Sequence, residues 1–140
     1  MRHLLQKLMP KEKFKFTIPI YLYLGKKKYF LNLNQYRNWH YHVNNKLKVL
    51  FKEILHNYNP LMNSQNHNDE ISINYVYYAP DKRNRDLMNV IAVVDKYFQD
   101  ALVVANLIKD DNTSIIKKIQ IKYGGVDKEN PRIEAELKDL

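Results

Sequence analysis

The residue pattern predicts an α+β (mixed α/β) fold: one mixed β-sheet with two main helices packed on it. Three observations carry this. Ile71, Ile73, Tyr75, Tyr77 and Ala79 recur with period two, and Leu87 to Ala105 forms a continuous helical stripe. A second alternation, Ile133, Ala135, Leu137, closes the chain. With 140 residues there is apolar material for one core and not for two. A single domain over 1–140 is expected, with residues 1–12 as an N-terminal extension, flexible or briefly helical.

Taken in order, residues 14 to 24 are rich in β-branched and aromatic types and predict a first strand, with Pro19 marking an edge position or a bend. Gly25 and Lys26, Lys27 and Lys28 predict a basic turn, and Tyr29 to Asn34 a short extended piece. From Gln35 to His56 the residues Trp39, Val43, Leu47, Leu50 and Ile54 recur every three or four positions, which predicts an amphipathic helix. The Asn-rich segment 57–69 predicts a loop. The strand 71–79 ends at Pro80, and a helix follows from Leu87 to Val104. Asp110 to Thr113 predicts a turn. Beyond it, a strand places Ile115, Ile119, Ile121 and Tyr123 on one face, a loop covers 124–131, and a last strand pairs back as a hairpin.

Composition narrows the chemistry. There is no cysteine, which excludes disulfides and thiolate metal sites. No run of 18 apolar residues and no signal peptide is evident, so a cytoplasmic location is expected. The net charge is +8 and is lopsided. Residues 1–60 hold 12 Lys/Arg against 2 Glu, a balance of +10, and the remaining acids fall in the second part. A basic surface with interleaved aromatics suits a phosphate backbone, since each neutralised phosphate releases condensed counterions.

The acids are the sharper signal. Asp86 stands between a strand end and a helix start, framed by Lys82, Arg83 and Arg85, and Asn89 follows three residues on. Asp110 and Asp111 lie beyond the helix. Such acids among cations suggest a divalent ion held against a polyanion. With five scattered histidines and no cysteine, oxygen donors favour Mg2+, with Mn2+ as the alternative. Aspartate is equally at home as a helix cap and in a turn, which is the reading that needs no ligand. His40 and His42 beside Trp39 read as helix-surface groups.

The string Pro80 to Asn89, then Asp100, Ala101, Leu102, then Asp110 and Asp111, resembles the core of the RusA-type crossover junction endodeoxyribonucleases. These are Holliday junction resolvases often encoded by phages. The resemblance covers residues 71–137, and more loosely the Asn34 to Arg37 segment upstream. It implies a homodimeric, Mg2+-dependent structure-selective DNA endonuclease that resolves four-way or branched DNA by paired nicks in recombination and repair. It further implies that Asp86 and Asp111 bind the ion with Asp110 or Asp95 in support, that Lys96 serves as catalytic lysine, and that Asn89 supports the motif. Lys26, Lys27, Lys28, Arg37, Lys82, Arg83 and Arg85 would grip DNA phosphates. Two departures stand out. Met88 occupies the position of a second metal-binding acid, and the helix between Asn89 and Asp100 runs about one turn (four residues) longer than the family spacing. Met88 therefore motivates an alternative, a junction-binding protein of the same fold with weak or no cleavage. A small basic interaction protein is the reading from a different class.

Overall fold

The computed structural model describes residues 14–58 and 70–140. The expectations for residues 1–12 and for most of the 57–69 loop lie outside the described residues. In chain order the elements are β1 (Phe14–Ile18), β2 (Tyr21–Leu24), β3 (Lys27–Phe30), α1 (Leu33–Tyr36), α2 (Tyr41–Tyr58), β4 (Ile71–Ala79), α3 (Leu87–Val104), β5 (Ile116–Val126) and β6 (Arg132–Asp139). This is the α+β architecture expected, a mixed four-stranded sheet of order β1-β6-β4-β5 with helices against it.

β4 holds the centre because it is the most apolar strand. Ile71, Ile73, Tyr75, Tyr77 and Ala79 are buried, and the intervening positions from Asn74 onward are half-buried. It runs parallel to β5 through the α3 crossover and antiparallel to β6, while β1 pairs antiparallel with β6 at the edge. The expected hairpin of the last two strands is therefore corrected. β4 lies between β5 and β6, and the short link from Asp127 spans one strand to reach Arg132. The alternation in each strand was legible, but alternation does not say which strand lies next to which.

Three further boundaries differ. Pro19 divides the expected 14–24 strand, because it cannot donate to a ladder: β1 stays in the main sheet, and β2 turns away to pair with β3. Gly25, at φ 61°, opens the two-residue turn of that hairpin, where a left-handed conformation is needed. The expected 35–56 helix is two pieces. Asn32 caps the single turn of α1, its side chain accepting from the Gln35 N–H at 2.9 Å, and α2 begins at Tyr41. Trp39 sits in the link and packs edge-on against Tyr29 and Tyr36. Finally, β5 continues through Gly124 and Gly125, which were expected in a loop.

The core lies between the sheet and the helices. α2 contributes Leu47, Phe51 and Leu55, and α3 contributes Ile91, Val94, Phe98 and Leu102. Phe98 meets Phe16 of β1 and Tyr75 of β4 edge-on, which fixes α3 across the middle of the sheet. Burying such a ring contributes roughly 1.5–3 kcal/mol. Among the described residues no helix is long and apolar enough to cross a membrane.

Candidate nucleic-acid interface

β4 stops at Pro80, and the next five residues fold into a turn held by Asp81. Its carboxylate accepts the Arg83 N–H at 2.9 Å and pairs with the Arg85 guanidinium at 2.8 Å. The hydrogen bond from Arg85 is the main reason the Asp81 carboxyl sits below its ordinary pKa, and the same bond holds Arg85 above its own. Beneath them, burial pushes the Tyr77 phenol upward while Arg85 opposes it.

Asp86 then caps α3. Its backbone is extended, at φ −74° and ψ 121°, and its side chain accepts the Met88 N–H at 2.9 Å. This satisfies one of the orphan donors of the first turn and sets a negative charge at the positive end of the helix dipole. Met88, at the second position of the helix, is 56% exposed.

This turn forms one wall of a cleft of about 610 Å³. Arg83, Asn84, Arg85, Asp86, Met88 and Asn89 line it from one side, and Asn32, Asn34 and Arg37 around α1 line it from the other. Three guanidinium groups and four carboxamides thus surround a single carboxylate. An excess of positive charge with many amide donors, at a helix N-terminus, is a setting for phosphate oxygens. Arg37 meets Arg83, Arg85, Asp86 and Asn89 here although 46 positions separate it from Arg83. Lys82 is exposed beside the cleft. Lys26, Lys27 and Lys28 are exposed at the tip of the β2–β3 hairpin, whose base lends Phe30 to the cleft wall; Lys28 also lies over the Tyr21 ring at 4.0 Å.

The other expected site residues are placed elsewhere. Asp110 and Asp111 follow the far end of α3. Asp110 accepts from the Asp111 N–H at 2.8 Å and from the Asn112 side chain at 3.0 Å. Desolvation raises the Asp111 carboxyl, and hydrogen bonding to Asp110 and the charges of Asp110 and Asp100 add to the rise, so the companion of this pair is Asp100. Asp86 and Asp100 are 14 residues apart along α3, about 21 Å at the helical rise. Asp95, midway along the helix, accepts from the Tyr75 hydroxyl and from Gln99 at 2.8 Å. Lys96 donates to the Tyr36 hydroxyl at 2.9 Å and so ties α3 to α1. His40 and His42 are exposed at the start of α2, with rings stacked at 4.8 Å.

A shared Mg2+ needs several oxygen donors about 2.0–2.1 Å from one point. Among the described residues no three His, Cys, Asp or Glu side chains gather to hold an ion. The cleft supplies one carboxylate, with one oxygen already engaged by the helix cap. Among the described residues, Asp86 is thus the acid that the cleft offers to a divalent ion. The cleft residues missed from sequence are the neutral Asn32 and Asn84, and Asn34 entered only as part of the Asn34 to Arg37 segment. Carboxamides are common in turns, and nothing in their spacing marks them as sharing a cleft with Arg83.

No protein-family model matches the chain, and no curated protein matches it.

Proposed function

We propose that this chain binds branched DNA by its phosphodiester backbone, in the manner of the RusA-type junction resolvases, and nicks it in a Mg2+-dependent reaction as a pair of protomers. The observation that carries the reading is the convergence of Arg37, Arg83 and Arg85 with Asp86 and Asn89 on one cleft at the N-terminus of α3. Two segments remote in sequence and both basic meet there, and the guanidinium fork matches phosphate geometry. Lys82 and the Lys26 to Lys28 hairpin tip extend the positive surface and set affinity and register.

Asp86 and the Asp110–Asp111 pair belong to opposite ends of α3, and the proposed pair of protomers would offer a second copy of each. Mg2+ would supply Lewis-acid stabilisation of the displaced oxygen and a more acidic water. This chain's own residues grip and orient the backbone, and Lys96, held by Tyr36, adds positive charge farther along α3.

A second reading, junction binding with weak or no cleavage, is favoured by Met88, whose thioether is a poor partner for a hard cation. One experiment separates the two: incubation of the full chain with a synthetic four-way junction and a linear duplex, with Mg2+ or Mn2+. Paired nicks lost in Asp86→Asn support the first reading. Junction-selective binding without product supports the second, and equal affinity for both DNAs removes both.

A further inference from the structure

The two edges of the sheet differ. β1 is five residues long, and Pro19 follows it closely. β5 is eleven residues long, contains no proline, and has β4 as its one strand neighbour among the described residues. Natural sheets protect their edges with short strands, proline, lysine or bulges, because an open edge is a template for another chain. β1 follows that rule. β5 carries lysines and two register shifts, yet these leave a regular stretch from Lys118 to Tyr123. The ladder skips Lys117 between Ile71↔Ile116 and Ser72↔Lys118, and Gly124 between Tyr77↔Tyr123 and Tyr78↔Gly125.

The faces of β5 make the point sharper. Ile119, Ile121 and Tyr123 oppose Ile73, Tyr75 and Tyr77 of β4 and so belong to the face that the helices cover elsewhere. Over β5 that cover thins: Ile119 is 42% exposed and Tyr123 is 49% exposed, while Ile121 between them is half-buried against the edge of the core. Lys118, Gln120 and Lys122 point to the opposite face. An apolar row is thus left beside an open backbone edge, where each would be buried by one more strand.

We propose that β5 pairs antiparallel with β5 of a second copy of this chain, about a two-fold axis at Ile121. The sequence selects both occupant and register. A two-fold normal to the sheet places one residue opposite itself, and the register centred on Ile121 pairs the regular stretch Ile119–Tyr123 with its own copy. Ile119 then faces Tyr123 of the other copy, Gln120 faces Lys122, and Lys118 faces Gly124. No lysine faces a lysine. Centring on Gln120 sets Lys118 against Lys122, and centring on Lys122 sets it against itself; like charges directly opposite are unfavourable. The proposal gives a surface to the two-protomer assembly invoked above, but it rests on the sheet edge alone and stands whatever the ligand proves to be.

The test uses the full chain without DNA, so its outcome is separate from that of the binding and cleavage assay. Sedimentation at rising protein concentration is expected to show twice the chain mass. Ile121→Lys, which sets two ammonium groups face to face, is expected to sediment as a monomer with an unchanged circular dichroism spectrum. Because the chain lacks cysteine, Ile121→Cys provides a second readout that keeps a small apolar side chain at the edge of the core. Opposed residues in an antiparallel pair have Cα atoms about 4.5–5.5 Å apart, within disulfide reach. Mild oxidation should cross-link Ile121→Cys nearly completely. Ile119→Cys should stay uncross-linked, because its copy lies four residues along the strand, about 13 Å away. A monomeric wild type, a dimer indifferent to Ile121→Lys in a folded variant, or equal cross-linking at 119 and 121 would each overturn the proposal.

Discussion

The Tyr75 hydroxyl donates a hydrogen bond to the Asp95 carboxylate, joining the middle of the central strand to the middle of α3. Gln99 donates to the same carboxylate one turn on, at 2.8 Å. Asp95 is thereby placed as a structural group, turned toward the sheet. Tyr75→Phe removes one donor and leaves the partly buried carboxylate with less compensation, at a cost of about 1–3 kcal/mol. Chemical denaturation is expected to show a lower midpoint with an unchanged slope.

The same pair predicts alkaline behaviour. Burial, first, and then the charge and hydrogen bond of Asp95 raise the Tyr75 phenol well above its ordinary value of 10.0. Unfolding releases the phenol to that ordinary value. The stabilisation is fully present below pH 10 and is lost as pH climbs toward the folded-state pKa. Wild-type stability should therefore fall more steeply above pH 10 than that of Tyr75→Phe, in paired denaturation series. Tyr97, raised mainly by burial, adds a similar component that both proteins share.

Asp86 has two separable roles, as helix cap and as the one acid of the cleft. Asn is as good a cap as Asp, whereas Ala costs about 0.5–2 kcal/mol. Asp86→Asn should keep the wild-type melting temperature, bind DNA at least as tightly and lose cutting, while Asp86→Ala should lose cutting and several degrees together. Equal melting losses in both variants would show that the cap bond contributes nothing.

Met88→Asp puts an acid on an exposed position in the first turn of α3. The helix dipole favours negative charge there by about 0.3–1 kcal/mol. The variant should fold, melt slightly higher and cut DNA at least as fast as wild type in Mg2+. A folded variant with strongly reduced cutting would show that the methionine itself contacts the DNA.

Arg37 and Arg83 are exposed on opposite walls of the cleft, whereas Arg85 is committed to Asp81. Arg37→Ala and Arg83→Ala should each lower the slope of log affinity against log salt by about 1, with little change in stability. Arg85→Ala should also disturb the 81–85 turn and so cost stability that the other two do not.

The parts of this molecule that repeat a pattern were legible in its residues. The 71–79 strand and the 87–104 helix emerged with the observed bounds, because eight apolar residues at helical spacing or five at period two leave few alternatives. The sheet order did not, since the alternation of 133–137 fits a hairpin with β5 as well as a place between β1 and β4. Pairing is settled by which strand best fills the centre, a property of the whole set. In the cleft the cations and Asp86 were legible as a local cluster. The separation of Asp86 from Asp111 follows from the length of α3, and its meaning emerges only when the crossover places the two acids at opposite ends of the sheet.

β1 has β6 as its sheet partner, Phe14 opposite Leu137 and Ile18 opposite Ile133. Among the described residues the first strand is thus matched by the last, and through β6 it reaches β4. More than a hundred positions separate β1 from its partner, so closing the sheet depends on non-local pairing, which is slow. Removing residues 132–140 would take away a central strand together with the partner of β1, and a chain shortened there should fail to fold, with no trimmed domain left behind.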